Sequence, residues 1–248
     1  GVVMRLGGSS AKRWMNCPGS VKASEGLDSY SEQAKLGTEQ HAIAEDAVNG
    51  VADWELSATS ATRRYVELLD SYRYHGYELK TEVRLQHPLI PELVGTADAV
   101  AIAENEIVVI DFKHGRVDVD DFTQLVFYAG LYLINNHYSG QSVSLIYCQP
   151  NSNGDKYKEK KCTKTQIQNA FALMEIRAKK VLAGDVSRKT GEWCKYCRAA
   201  PACKLLRGEI MEAVTANKDD QIAGLVESLA LVPKVKAWLS DIESTALQ

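Results

Sequence analysis

Glu106-Ile107-Val108-Val109-Ile110-Asp111-Phe112-Lys113 is the stretch on which the fold turns. Its β-branched run favours an extended backbone, because branching at Cβ crowds a helix and packs well on a pleated surface. Period-two geometry then places Asp111 and Lys113 on one face and Phe112 on the other. The stretch predicts a core strand that delivers a carboxylate and an ammonium together at its end.

Upstream, residues 78–85 alternate and residues 96–103 are rich in small and apolar side chains, which gives two more strands. Asn105 falls where a tight turn would join the second and third strands into an antiparallel hairpin. Downstream, residues 122–135 have a helical period, residues 143–148 read as a buried strand, and residues 163–182 read as a long helix capped by Thr163 or Thr165. Between them, residues 151–161 are polar and lysine-rich and suggest an exposed turn or hairpin.

Three helices precede the strands. The first starts at Ser9 or Ser10 and stops at Cys17-Pro18-Gly19; the second covers about residues 39–49 behind Thr38; the third covers residues 61–74. Beyond Arg207 come two amphipathic helices divided near Pro233. The expected fold is α/β, a mixed central sheet flanked by helices, in one main domain (1–207) with a helical extension (208–248).

Of 248 residues, 45% are hydrophobic and 25% charged, with a formal net charge of -3. That balance excludes a strongly basic coating protein, so any nucleic-acid contact is a local groove. No stretch approaches the roughly 20 apolar residues of a membrane span, so a cytoplasmic protein with no membrane partner is expected. Six cysteines in a reducing compartment, where they cluster, point to metal binding or redox chemistry rather than disulfides.

The Asp111–Lys113 pairing suits phosphodiester hydrolysis. A carboxylate can hold Mg2+ or Mn2+ while a lysine orients water or offsets charge on the attacked phosphate. Asp98, after Gly95-Thr96-Ala97, would be carried beside Asp111 by the hairpin, and a shared cation would relieve their repulsion. Taken singly, each residue has an ordinary reading: His41 as a surface or core-edge histidine, Asp98 as a turn residue, Asp111 with Lys113 as a surface ion pair, and Gln124 and Tyr128 as a helix flank.

In combination, the G-x-x-D element, the strand ending Asp111-Phe112-Lys113 and Gln124-x-x-x-Tyr128 on a helix resemble the RecB-like branch of the PD-(D/E)XK nucleases. His41, in Gly37-Thr38-Glu39-Gln40-His41, is similar to that branch's helical histidine. The resemblance implies a cation held by His41, Asp98, Asp111 and the Phe112 carbonyl, with Lys113 catalytic and Gln124 and Tyr128 accessory. The second acid is often Glu in that family; Asp111 is a shorter variant that still coordinates.

Cys194-x2-Cys197-x5-Cys203 brings three thiols together, and Cys17 is the candidate fourth. One distant amino-terminal cysteine plus a carboxy-terminal triplet is similar to the iron-sulfur staple of CRISPR-associated RecB-like nucleases and of the AddB helicase-nuclease subunit. That likeness implies a structural 4Fe-4S cluster, with Zn2+ as the alternative. The opening Gly8-Ser9-Ser10 through Cys17-Pro18-Gly19-Ser20 looks like that of phage and prophage RecB-like proteins, which implies a role in phage DNA recombination or processing alongside phage recombination proteins.

The expected activity is therefore a metal-dependent DNA nuclease, an exonuclease by this reading. The rivals are a non-cleaving nuclease-fold module that binds DNA or a partner, and a zinc-stabilised interaction protein. Arg63-Arg64, the Lys156 to Lys161 run with Tyr157, Lys179-Lys180 and Arg188-Lys189 are basic candidates for DNA, each more simply read as a solvated face.

Overall fold

The Glu106–Phe112 strand is the middle member of a five-stranded mixed sheet. The structure, a computed structural model, describes residues 4–27 and 32–216 together with Val232, Val235, Lys236 and Leu239. In chain order the elements are α1 (Ala11–Asn16), α2 (Gly19–Ala23), α3 (Glu32–Val48), α4 (Ser60–Tyr74), β1 (Glu78–Gln86), β2 (Val94–Ile102), β3 (Glu106–Phe112), α5 (Thr123–Asn135), β4 (Ser142–Cys148), β5 (Tyr157–Thr163), α6 (Lys164–Leu182) and α7 (Lys204–Ala216). The sheet order follows the sequence, β1 to β5. Three of the four pairings are antiparallel, and β3 with β4 is parallel because α5 carries the chain back across the sheet.

The chain divides into two compact units, Gly1–Ala11 with Ser31–Ile176, and Lys12–Tyr30 with Arg177–Gln248. In the first, one sheet face presents Ala99, Ala101, Val108, Ile110 and Phe112 to Ala44 of α3 and to Tyr65, Val66 and Leu69 of α4. Tyr65 stacks on Phe112 with ring centroids 4.7 Å apart, which fixes the end of β3 where the acid and the amine emerge. Helix α5 is buried through Leu125, Phe127 and Leu131. In the second unit, Cys194, Ala200, Leu206 and Ile210 are buried together among the described residues.

Helix α2 was not expected, α7 starts at Lys204 rather than beyond Arg207, and α3 and β5 also depart from the sequence reading. Helix α3 starts at Glu32, so Thr38 lies inside it rather than capping it; Glu32, Gln33, Ala34, Lys35 and Leu36 all favour helix and carry the period past Gly37. The lysine-rich segment forms the expected hairpin but contributes a full strand, β5, in register with β4 from Cys148↔Tyr157 to Ser142↔Thr163. Its exposed lysines suit an open sheet edge, where charge deters pairing with other chains. Thr163 is the cap of α6: its hydroxyl accepts from Gln166 N–H at 3.1 Å while the Gln166 side chain accepts from Thr163 N–H at 2.8 Å. Of the helix expected beyond Pro233, the described residues are Val235, Lys236 and Leu239, and all three are helical. No described helix is long and apolar enough to cross a membrane.

Candidate metal centre and cysteine recess

The ladder of the sheet gathers the acids. Ala99 pairs with Ile110 across β2 and β3, and Thr81 with Ala99 and Val83 with Ala97 across β1 and β2. Continuing those registers by one step aligns Glu82, Asp98 and Asp111 in one row over three strands. Asp98 Oδ2 accepts the Phe112 backbone N–H at 2.7 Å, and its Oδ1 lies 3.6 Å from His41 Nδ1. His41, on α3, sits over the Phe112 ring with centroids 5.1 Å apart. Its neighbour Gln40 anchors the helix by accepting from Thr59 N–H at 2.9 Å and from the Thr62 hydroxyl at 2.5 Å.

Asp111 is 2% exposed and is met from the other side. Gln124 on α5 donates to Asp111 Oδ1 at 2.8 Å and accepts from Lys113 Nζ at 2.9 Å, so one amide bridges the acid and the amine. Asp111 Oδ2 has the Lys113 ammonium 2.9 Å away as its ion-pair partner and no aligned hydrogen-bond donor. The same Gln124 amide reaches the Tyr128 hydroxyl at 3.3 Å. Tyr128 is wedged against two glycines: a Cβ at Gly95 would stand 2.7 Å from its ring, and one at Gly8 would stand 2.6 Å from it. The glycine of the G-x-x-D element is thus required by the tyrosine, not by a turn.

Electrostatics follow from this crowding. Burial, and then the neighbouring Asp111 carboxylate, raise the Asp98 pKa well above the usual carboxylate range, against the pull of the Phe112 N–H and Lys113. Burial lowers the His41 pKa, although Asp111 opposes it, so the imidazole is held neutral and able to donate a lone pair.

Glu82 is the residue that sequence reasoning missed. It has a left-handed φ of 47° in the middle of β1, a conformation that costs a non-glycine residue about 1–2 kcal/mol. With His41 and Asp98 it lines a recess of about 220 Å³. One ligand atom from each of His41, Glu82 and Asp98 lies within 4.8 Å of the others, and among the described residues this is the group able to hold a metal ion. Asp111 is outside that group, committed to Lys113 and Gln124. A glutamate in an alternating strand carries no signal that sets it apart from a solvated one.

All four expected cysteines line one recess of about 400 Å³ in the second unit. Cys17 is brought there by Gly19, which donates to the Ser187 carbonyl at 2.8 Å and whose Cβ would collide with the Val186 carbonyl oxygen at 2.3 Å. Gly191 N–H points at Cys194 Sγ at 3.4 Å, and Ser24 Oγ lies 3.9 Å from Cys197 Sγ. Burial, with Cys197, Cys17 and Cys203 nearby, raises the Cys194 pKa; the Gly191 N–H opposes the rise. Among the described residues no three of these thiols come within 4.8 Å of one another. Cys148 belongs instead to the sheet core, where burial pushes its thiol up to about 12.

The family model described as "Protein of unknown function (DUF2800)" matches residues 4–87 and 58–248. The chain belongs to that family. It is also similar to the solved structure titled "Crystal structure of SSO0001", with 21% identity over 82% of this chain and 88% of that one and a TM-score of 0.40. In this DUF2800 chain the basic candidates for DNA lie on different elements: Arg63 and Arg64 are exposed on α4, Lys179 and Lys180 on α6, Arg188 and Lys189 before the cysteine triplet. On β5, Lys158 pairs with Asp118 while Tyr157, Lys160 and Lys161 are exposed.

Proposed function

We propose that the chain is a divalent-metal-dependent deoxyribonuclease of the RecB-like PD-(D/E)XK type, acting on DNA under recombination or processing. The observation that carries this reading is the bridge Asp111–Gln124–Lys113 at the end of β3, set beside Asp98 and His41. His41, Asp98, Asp111 and the Phe112 carbonyl fit a hard or borderline cation, being one neutral imidazole and oxygen donors. When bound, such a cation supplies Lewis acidity to the phosphoryl oxygen and lowers the pKa of a coordinated water.

The chain's own residues do the rest. Lys113 holds the attacking water or the non-bridging phosphoryl oxygen, where its charge offsets the negative charge that grows in the transition state. Gln124 keeps the ammonium and the carboxylate in mutual register, and Tyr128 fixes Gln124. Water adds to phosphorus as the P–O ester bond breaks, its proton leaves to solvent or to a neighbouring base, and the departing oxygen is protonated.

At the cysteine recess we infer a structural 4Fe-4S cluster. Tetrahedral zinc, with Zn–S near 2.3 Å, would draw its thiolates to within about 3.8 Å of one another. A cubane spreads its four thiolates farther, because four irons and four sulfides stand between them. The four cysteines line one recess, and an N–H directed at Cys194 Sγ suits a thiolate.

End-labelled single- and double-stranded DNA incubated with Mg2+ or Mn2+ tests the nuclease. Cleavage should be abolished by EDTA and should fall by at least about 10²–10³-fold in Lys113→Ala. DNA binding without hydrolysis in either metal would leave a non-cleaving module. An absorbance band near about 400 nm is expected of the cluster and not of zinc.

A further inference from the structure

Thr81 and Glu82 are adjacent in β1, so in a regular strand their side chains leave opposite faces. Both line the recess that also contains His41 and Asp98. The backbone at Glu82 departs from regular strand geometry, with a φ of 47°. The pairing of β1 with β2 is interrupted at that position and resumes in the same register at Val83. Glu82 is therefore a local reorientation within an intact ladder, not a bulge or a slip.

One ligand atom from each of His41, Glu82 and Asp98 lies within 4.8 Å of the others, so a second carboxylate stands beside Asp98 and the imidazole. A cation held among them would outweigh the repulsion between adjacent carboxylates. Asp111 has no comparable need, because Gln124 meets one of its oxygens and Lys113 the other.

We propose that Glu82 is a metal ligand, and that before nucleic acid arrives a cation of the Mn2+ class rests on His41, Glu82 and Asp98 while Asp111 stays paired with Lys113. One imidazole and two carboxylates suit Mn2+ better than Mg2+, which prefers an all-oxygen shell rich in water. The later half of the sequence of events rests on the nuclease reading: an incoming phosphate draws Lys113 away from Asp111 and frees that carboxylate for the ion.

The test is titration of the DNA-free, full-length chain with Mn2+, following unbound Mn2+ by electron paramagnetic resonance. Glu82→Gln should weaken binding by at least about tenfold, a loss on the scale that metal-site partners produce. Asp111→Asn should change it by less than about threefold. Wild-type affinity in Glu82→Gln, or an equal loss in Asp111→Asn, overturns the proposal. Metal-free melting controls for folding; if Glu82→Gln melts early, Glu82→Asn repeats the titration, since asparagine tolerates left-handed backbone. Cleavage is scored separately. Loss of Mn2+ binding in Glu82→Gln beside a wild type that cuts no DNA retains the ion site and removes the nuclease; cutting by the wild type with unaltered Mn2+ binding in Glu82→Gln retains the nuclease and removes Glu82.

Discussion

Around Asp111 the polar groups are linked through ones that a strand or helix already holds: Phe112 N–H on Asp98, Gln124 between Asp111 and Lys113, Tyr128 on Gln124. Around Cys194 the walls combine Ala200 and Leu206 with Arg13, Arg188 and Lys189, and among the described residues the thiols are met by one backbone N–H and one serine hydroxyl. The sheet site can keep its geometry before any ion binds, because the ladder and α5 specify it. The cysteine recess is built from short helical turns and a small described core, so the bound group has to supply much of the geometry. One site is organised by the chain for a ligand; the other is organised by a ligand for the chain.

The largest effect should come from attacking the second arrangement. Cys194→Ser is expected to remove the visible band and to cost several kcal/mol of stability, as losing a structural metal site does, with limited proteolysis cutting first within residues 177–203. Unchanged melting and protease resistance would erase the contrast. Next, Gly95→Ala forces a Cβ into the Tyr128 ring and should destabilise by about 1–3 kcal/mol as an overpacked site, visible as a lower denaturation midpoint and, through Gln124, as slower DNA cleavage. Equal stability with and without that methyl would mean the sheet site is looser than its ladder suggests.

The smallest effect sharpens the electrostatic side. Folding raises the Asp98 pKa, so the native state binds this proton more tightly than the unfolded chain. Ionisation then opposes folding: stability contributed by the protonated acid falls as pH climbs from the ordinary carboxylate range, about 3.9, toward the raised value. Asp98→Asn in metal-free protein should therefore raise the melting temperature modestly near about pH 7 and leave it unchanged near about pH 3. Added Mn2+ should reverse the ranking, because only the wild type binds it well.

The sequence reveals what depends on period and composition. Ile107 to Ile110 declares a core strand, Asn105 its turn, and Thr163 its helix cap, and all three stand where their chemistry puts them. Asp98, Asp111, Lys113, Gln124 and Tyr128 come together because a hairpin register and one helical turn are simple to project. Glu82 was not projected, since a glutamate in an alternating strand reads as solvated and the register of β1 on β2 that sets it opposite Asp98 has no turn residue to announce it. Strand β5 was obscured by lysines whose charge reads as a solvated loop, and α3 began early because local helix preference ran through Gly37.

The tyrosine wedge has a consequence for how this chain can change over generations. Gly8 and Gly95, far apart in sequence, press on the same ring, so neither can gain a side chain while Tyr128 keeps its size. A smaller residue at 128 would release Gly95, whose remaining neighbour is the Phe127 ring at 3.7 Å, whereas Gly8 would still meet that ring at 2.9 Å. A side chain at 95 should therefore be tolerated only after residue 128 has shrunk, an order set by the volume of one phenol.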